Sequence, residues 1–190
     1  MRAFIAIEVS EDIKAVLGQI EAHLKYAGAD VKWVRPEIVH LTLKFLGEIQ
    51  EDKAKEITAA LDGIARATKP FDITLKDVGA FPKIDFPRVI WAGLDKGAVE
   101  SKELASKVDE ALSLIGFNRE ERPFSGHLTI GRVRSSLNRA KLIEKMASSA
   151  ANFQLSAVKA HKVASVILFQ SKLTPQGSIY TKFHESPFQQ

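Results

Sequence analysis

The chain has 190 residues, of which 45% are hydrophobic, and a formal net charge of +4. This length and composition suit one globular domain with a substantial core. The absence of cysteine excludes disulfide bonds and any zinc, iron–sulfur or thiolate chemistry that depends on cysteine. No stretch reaches the length of about 18 apolar residues typical of a membrane span, so we expect a soluble, cytoplasmic protein. The basic residues are spread along the chain, which permits a phosphate-bearing partner without requiring one.

Hydrophobic periodicity and turn residues predict strands and helices along the whole chain. Ser10 followed by Glu11 and Asp12 predicts a capped helix start, because such residues satisfy the free N–H groups and the positive end of a helix. Each half of the chain contributes strands and two helices, so we expect the halves to form two lobes of one domain over residues 1–190. The predicted elements are strand 1–9, helix 10–28, extended segment 31–34, strand 39–46, helix 51–68, strands 71–78 and 88–94, helix 99–115, strand 127–133, helix 138–148, and strands 153–173 and 178–183 around a turn at 174–177.

A four-residue sequence occurs twice, as His40-Leu41-Thr42-Leu43 and, 87 positions later, as His127-Leu128-Thr129-Ile130. With five histidines and seven threonines in the chain, random placement yields roughly 0.2 His-x-Thr tripeptides. Two copies in matching apolar surroundings therefore indicate a shared role.

Both copies fall in predicted strands, where successive side chains alternate between faces. The histidine and threonine of each copy thus share a face, while the leucine between them points into the core. If the two strands meet across a groove, one neutral imidazole can accept a proton from water and a second, protonated imidazole can donate one to a leaving oxygen. The threonine hydroxyls can donate hydrogen bonds to phosphate oxygens. This set suits displacement at a phosphodiester.

Two other interpretations of the repeat remain open. The strands could be ordinary half-buried strands whose polar side chains face solvent. A metal site is the other, but it needs a third ligand, which neither copy carries. We therefore expect no metal ion and no cofactor.

Paired H-x-T sequences at this spacing, in a chain of this length, resemble the two-histidine (2H) phosphoesterase superfamily. Five segments are similar, in the same order, to those of the RNA 2′,3′-cyclic phosphodiesterases, also called 2′-5′ RNA ligases. They are residues 1–7, 40–47, 88–93, 127–133 and 171–180. One departure is Gly126, which stands where this family commonly has proline before the second histidine. The catalytic positions themselves are unchanged.

The resemblance implies an α+β fold of two pseudo-symmetric lobes, each with an antiparallel sheet flanked by helices, and an active site in the groove between them. It implies a hydrolase of RNA processing that converts RNA 2′,3′-cyclic phosphate ends to 2′-phosphomonoesters and can form 2′-5′ bonds in reverse. It also implies that His40 is the proton donor and His127 the proton acceptor, with Thr42 and Thr129 as further catalytic residues. The expected partner is RNA with a cyclic phosphate end, for which tRNA fragments are candidates, and the expected state is a monomer.

Phe45 and Arg132 both stand five residues after a motif histidine. The resemblance implies that they bind substrate, since aromatic and guanidinium planes stack on nucleobases. Strict alternation puts them on the opposite face, so this role requires a bulge or a strand end, and core packing is the alternative for Phe45. By the same alternation we expect Lys44 on the histidine face, where it is a solvated lysine or, as the alternative, lends positive charge to an RNA backbone. Trp91 and Tyr180 are predicted mainly to pack, with Tyr180 at the rim of the groove.

Two further functions are open at this point. One is an RNA-end-binding protein whose groove holds phosphate without physiological turnover. The other is ligation as the physiological direction, although the sequence has no recognisable nucleotide-activation motif, so the strained cyclic phosphate would have to supply the energy.

Overall fold

The computed structural model describes residues 1–175 and 177–189, so one position of the predicted turn at 174–177 lies outside the described residues. The helices are α1 (Glu11–Lys25), α2 (Glu51–Arg66), α3 (Ala98–Ser113) and α4 (Arg139–Asn152). The strands are β1 (Arg2–Glu8), β2 (Val31–Trp33), β3 (His40–Glu48), β4 (Phe71–Ile73), β5 (Leu75–Lys83), β6 (Phe86–Leu94), β7 (His127–Val133), β8 (His161–Val163), β9 (Ser165–Thr174) and β10 (Gly177–Pro187). Within this part of the chain, no helix is both long and apolar enough to cross a bilayer.

Local sequence accounts for most of these boundaries. At the start of α1, the Ser10 side chain accepts a hydrogen bond from the backbone N–H of Ile13, so the predicted cap is confirmed. The prediction of strand over residues 153–160 is wrong, because α4 continues to Asn152 and a short 3-10 helix follows at Leu155–Ala157. Short apolar runs suit a buried helical turn as well as a strand, and periodicity alone does not separate the two.

One antiparallel sheet of eight strands organises the fold, in the order β10-β9-β1-β3-β7-β6-β5, with β2 paired to β7. The strands β4 and β8 form a separate two-stranded sheet. At the middle of the large sheet, β3 and β7 are joined by one residue pair, Leu41 with Leu128. The large sheet therefore consists of two halves that meet along this seam.

The seam separates two lobes. The first lobe contains β10, β9, β1 and β3, with α2 packed on β9 and β10 and with α3 on β3. The second lobe contains β2, β7, β6 and β5, with α4 packed on β5 and α1 packed on α4. The predicted α+β fold of two lobes, with antiparallel strands flanked by helices, is confirmed.

The assignment of one lobe to each half of the chain is wrong. β9 and β10, from the end of the chain, pair with each other and join the strands of the first half, because β9 also pairs with β1. Each lobe therefore combines elements from both halves. The two halves of the sequence therefore do not coincide with the two lobes, because strands that are distant in the sequence pair with each other.

Both lobes share one hydrophobic core. Ile5, Leu41, Ile90 and Leu128 are fully buried beneath the seam, on the helix-covered face of the sheet. A smaller apolar cluster of Phe4, Ala6, Ile167 and Phe169 lies apart from this core. Because Phe4 and Ala6 alternate with Ile5 along β1, this second cluster lies on the opposite, open face of the first lobe.

Candidate active site

The residue pair that joins the lobes is formed by the central leucines of the two repeated motifs. Leu41 and Leu128 are fully buried, so the residues on either side of each leucine point to the open face of the sheet. These flanking residues are His40, Thr42, His127 and Thr129, all half-buried. Antiparallel pairing places each histidine beside the threonine of the other motif. The two motif strands thus lie side by side at the seam, and their two imidazoles and two hydroxyls form one patch.

Each motif histidine is held by the carbonyl group two residues before it. Nδ1 of His40 lies 2.9 Å from the carbonyl oxygen of Ile38, and Nδ1 of His127 lies 2.7 Å from that of Ser125. A carbonyl oxygen can only accept a hydrogen bond, so Nδ1 carries the proton in both rings. Nε2 of each neutral ring is then left as an acceptor for a ligand, and in the protonated ring the same atom becomes a donor.

Both imidazoles have lowered pKa values. Burial lowers the pKa of His40, against the opposing effect of the hydrogen bond to Ile38. Burial lowers the pKa of His127 as well, the bond to Ser125 opposes this change, and the positive charge of Arg132 adds to it. Both rings are therefore neutral near pH 7 without a ligand. An anion bound between them would favour the protonated form of either ring.

The two histidines have different aromatic neighbours. The ring of His40 stacks on Phe4, with centroids 4.6 Å apart, and meets the edge of Tyr180 at 5.1 Å. The ring of His127 meets the edge of Phe81 at 4.9 Å. The predicted packing role of Tyr180 is therefore confirmed, at the site itself. Sequence reasoning missed Phe4 and Phe81, because each is an ordinary apolar strand residue until the neighbouring strand is known.

Two β-bulges bring the fifth position of each motif back to the histidine face. The pairing of β3 with β1 shifts register at Leu43, and the pairing of β7 with β6 shifts at Ile130, so each strand has one extra residue between its histidine and the fifth position. Phe45 is 67% exposed, and its ring centroid lies 6.2 Å from that of Phe4. Arg132 is likewise exposed. Core packing is thus excluded for Phe45, and both side chains are accessible to a ligand.

The prediction of a solvated Lys44 on the histidine face is wrong. The bulge turns this side chain inward, where only 3% of it remains exposed. Its Nζ donates to the Asp109 carboxylate at 2.5 Å and to the carbonyl oxygen of Asn118 at 2.8 Å, and it lies 3.4 Å from a carboxylate oxygen of Glu120. Burial opposes ionisation of Asp109, but hydrogen bonds from Lys44 and from the backbone N–H of Glu120 lower the pKa of that carboxyl. Lys44 therefore anchors residues 118–120 to β3.

Trp91 has the predicted packing role, in the second lobe. Its indole ring covers Gly79 on β5 so closely that a Cβ at that glycine would overlap the ring. On the same strand as Trp91, Gly93 pairs with His127, and a Cβ there would overlap the carboxylate of Asp77. The surface beside the second histidine thus depends on two glycines.

His184 also has a hydroxyl residue, Ser186, two positions after it, but this pair lies outside the patch and has a structural role. Nε2 of His184 and the hydroxyl of Ser186 both contact the same carboxylate oxygen of Asp62, each at 2.7 Å. These contacts fasten β10 to α2. Among residues 1–175 and 177–189, no group of three or more His, Cys, Asp or Glu side chains is placed to hold a metal ion.

The repeat is longer than the four residues that first indicate it. Arg35-Pro36 and Arg122-Pro123 stand five and four residues before the two histidines, and both arginines are exposed. Sequence reasoning missed this extension. The signal was present, because aligning the segments that precede the two histidines reveals it.

Comparisons with known proteins agree with this geometry. A family model described as LigT like Phosphoesterase matches the chain twice, over residues 7–91 and 95–180. The RNA 2′,3′-cyclic phosphodiesterase of Methanothermobacter thermautotrophicus is 37% identical over 95% of this chain and 95% of the relative. The protein of the same name from Thermotoga maritima is 35% identical over 100% of this chain and 96% of the relative.

Solved structures share the fold over the full chain. The crystal structure of TT0787 from Thermus thermophilus matches with a TM-score of 0.78 and 26% identity, covering 99% of this chain and 98% of that one. The crystal structure of E. coli LigT in apo form matches with a TM-score of 0.74 and 25% identity, covering 100% of this chain and 98% of that one. The chain therefore belongs to the family of LigT-like phosphoesterases.

Proposed function

We propose that this protein is a hydrolase that opens the 2′,3′-cyclic phosphate at an RNA end to a 2′-phosphomonoester, without a metal ion. The observation that carries the proposal is the seam, where one residue pair brings two His-x-Thr motifs onto a single open face. Relatives with 37% and 35% identity over nearly the whole chain are named RNA 2′,3′-cyclic phosphodiesterase, which supports this activity.

His40 and His127 divide the proton transfers between them. Nε2 of His127, free because Nδ1 donates to Ser125, accepts a proton from water as the water oxygen attacks phosphorus. The bond between phosphorus and the 3′ oxygen breaks, and Nε2–H of His40 protonates that oxygen. The products are a 3′-hydroxyl and a 2′-phosphomonoester. If a 5′-hydroxyl replaces water as the nucleophile, the same transfers form a 2′-5′ phosphodiester.

The cyclic phosphate itself helps to prepare the acid. In the free protein burial keeps His40 neutral, but the phosphodiester brings a negative charge that raises the pKa of a nearby imidazole. Once protonated, a histidine with a lowered pKa is a strong proton donor. The assignment of His40 as donor and His127 as acceptor follows the pattern of the family.

The remaining side chains of the patch bind the substrate. Neither Thr42 nor Thr129 makes a side-chain hydrogen bond to any residue that the structure describes, so both hydroxyls can donate to non-bridging phosphate oxygens. The exposed guanidinium of Arg132 attracts the phosphate, and the exposed ring of Phe45 offers a stacking surface for the base. We further propose that the protein acts in the cytoplasm, as a monomeric single domain over residues 1–190, on RNA ends that include those of tRNA fragments.

Hydrolysis of adenosine 2′,3′-cyclic phosphate in the presence of EDTA tests the function. We expect turnover by the unmodified protein and a loss of about 100-fold to 10,000-fold in His40→Ala and in His127→Ala, the usual contribution of a general acid or base. His161→Gln, at a histidine outside the patch, should retain turnover. Full activity in either motif variant contradicts the proposal.

The same variants distinguish catalysis from binding alone. An RNA-end-binding protein predicts lost affinity for RNA with a cyclic phosphate end, and little turnover by the unmodified protein. The proposed enzyme predicts lost turnover with affinity largely kept.

A further inference from the structure

A cavity of about 660 Å³ opens on the first lobe beside Phe45, and neither motif histidine lines it. Its walls are residues 44–46 of β3 and residues 116–122, which follow α3. This cavity is separate from the patch of histidines and threonines but shares Phe45 with it.

The cavity exists because the two lobes differ at this place. In the second lobe, residues 31–33 form β2 and pair with β7. In the first lobe, the equivalent residues, 118–120, form no strand. The fourth residue after each histidine differs in the same way. In the second lobe it is Gly131, where a Cβ would lie only 2.7 Å from Val31 of β2. In the first lobe it is Lys44, whose side chain holds residues 118–120 by a hydrogen bond.

The cavity lies beside the open face that carries His40, with the ring of Phe45 at the boundary. Phe45 forms part of the cavity wall, and its ring lies 6.2 Å from that of Phe4. Phe4 in turn stacks on His40 at 4.6 Å. A ligand in the cavity is therefore separated from the reacting phosphate by a short aromatic surface.

The guanidinium groups and aromatic rings of the cavity suit a nucleotide of a single strand; the lining also includes Glu120, which lies 3.4 Å from the ammonium of Lys44, and Glu121. Arg122 is exposed and has no ion pair within residues 1–175 and 177–189, so its guanidinium can bind a phosphate. Arg119 is partly held by Asp109, at 3.3 Å from its Nε. The rings of Phe45 and Phe117 line the same space, and aromatic rings stack on bases regardless of sequence.

We propose that this cavity binds the nucleotide immediately 5′ of the one that carries the cyclic phosphate. Arg122 contacts the phosphate that links the two nucleotides, and the upstream base lies against Phe117, with Phe45 between it and the terminal base. An RNA chain that ends in a 2′,3′-cyclic phosphate continues only in the 5′ direction, so the nucleotide available to a second subsite is the upstream one. This inference rests on the proposed function and specifies its substrate as an RNA chain rather than a mononucleotide.

Values of kcat/KM for two substrates test the subsite. They are adenosine 2′,3′-cyclic phosphate and the dinucleotide ApA with a 2′,3′-cyclic phosphate end. We expect the unmodified protein to favour the dinucleotide, and Arg122→Ala to lower kcat/KM for the dinucleotide by about tenfold, as expected for one charge-assisted hydrogen bond. Its kcat/KM for the mononucleotide should not change.

Arg35→Ala is the matched control. It removes the same charge five residues before the other histidine, and Arg35 does not line the cavity. Both substrates should keep their kcat/KM values in this variant.

Three results would overturn the subsite. An equal loss on both substrates in Arg122→Ala would place the terminal nucleotide in the cavity. An unchanged value for the dinucleotide in Arg122→Ala, or no preference for the dinucleotide in the unmodified protein, would leave the cavity without this role. An unmodified protein that hydrolyses neither substrate would instead contradict the proposed function.

Discussion

His40 and His127 occupy equivalent positions in the sheet, yet the strands beside them carry different side chains. Next to His40, β1 contributes Glu8, whereas the equivalent neighbour of His127 on β6 is Gly93. His40 lies in an aromatic environment, while His127 has the charge of Arg132 close enough to lower its pKa. The repeated motif thus fixes the same geometry twice, and the neighbouring strands give each histidine its own chemical environment.

A second difference lies along the seam-side edge of each motif strand, beyond the single residue pair that joins β3 to β7. In the second lobe, backbone pairing with β2 covers this edge. In the first lobe, Lys44 and Asp109 replace a strand by an ion pair and leave a cavity. A fold with near two-fold symmetry can therefore bind a directional ligand such as RNA, because one side is closed and the other is open.

The largest expected effect separates the two histidines by role. In a 2′,3′-cyclic phosphate whose 3′ oxygen is replaced by sulfur, the leaving group departs without protonation. On the oxygen substrate we expect His40→Ala to be slower than the unmodified protein by about 100-fold to 10,000-fold. On the sulfur substrate most of this difference should disappear, because the general acid is no longer needed. His127→Ala should remain slow on both substrates, because water must still be activated. Steady-state rates on the oxygen and sulfur substrates measure this difference.

Two outcomes would contradict this assignment of acid and base. The reverse pattern would exchange the roles of the two histidines. The same response in both variants would mean that neither is a dedicated acid.

An intermediate effect concerns the stability of the first lobe. Lys44→Met removes one partner from a buried ion pair, so we expect the free energy of unfolding to fall by about 3 kcal/mol. Lys32→Met, at an exposed lysine on β2, is the control and should change it by no more than about 0.5 kcal/mol. Urea denaturation measures both values. Equal stabilities would show that residues 118–120 do not depend on Lys44.

The smallest expected effect is a shift in the pH dependence of kcat/KM. Because both histidine pKa values lie below the ordinary 6.5, kcat/KM should be highest below pH 6.5. It falls in acid as His127 becomes protonated and falls in base as His40 loses its proton. Tyr180→Ser admits water to His40 and should raise that pKa, which moves the alkaline limb up by less than about one pH unit.

Phe81→Ser is the paired experiment for the other lobe. It should raise the pKa of His127 and move the acid limb to higher pH by a similar amount. If either substitution moves the opposite limb, the assignment of acid and base is wrong.

Sequence predicted those features of the site that depend on a few neighbouring residues. The shared face of His40 and Thr42 follows from alternation across three positions of one strand. The exposure of Phe45 and the burial of Lys44 do not, because both depend on a bulge that forms only where β3 pairs with β1. Neighbouring residues also do not predict which strands form each lobe, since β9, near the end of the chain, pairs with β1 at its start.

NMR titration of the Cε1–H signals of His40 and His127 tests most directly whether both imidazoles act on one phosphate. It would be recorded for the free protein and with adenosine 2′-monophosphate. We predict that both pKa values lie below 6.5 in the free protein and that both rise when the 2′-phosphate binds. A rise for one histidine alone, or for neither, would contradict this prediction.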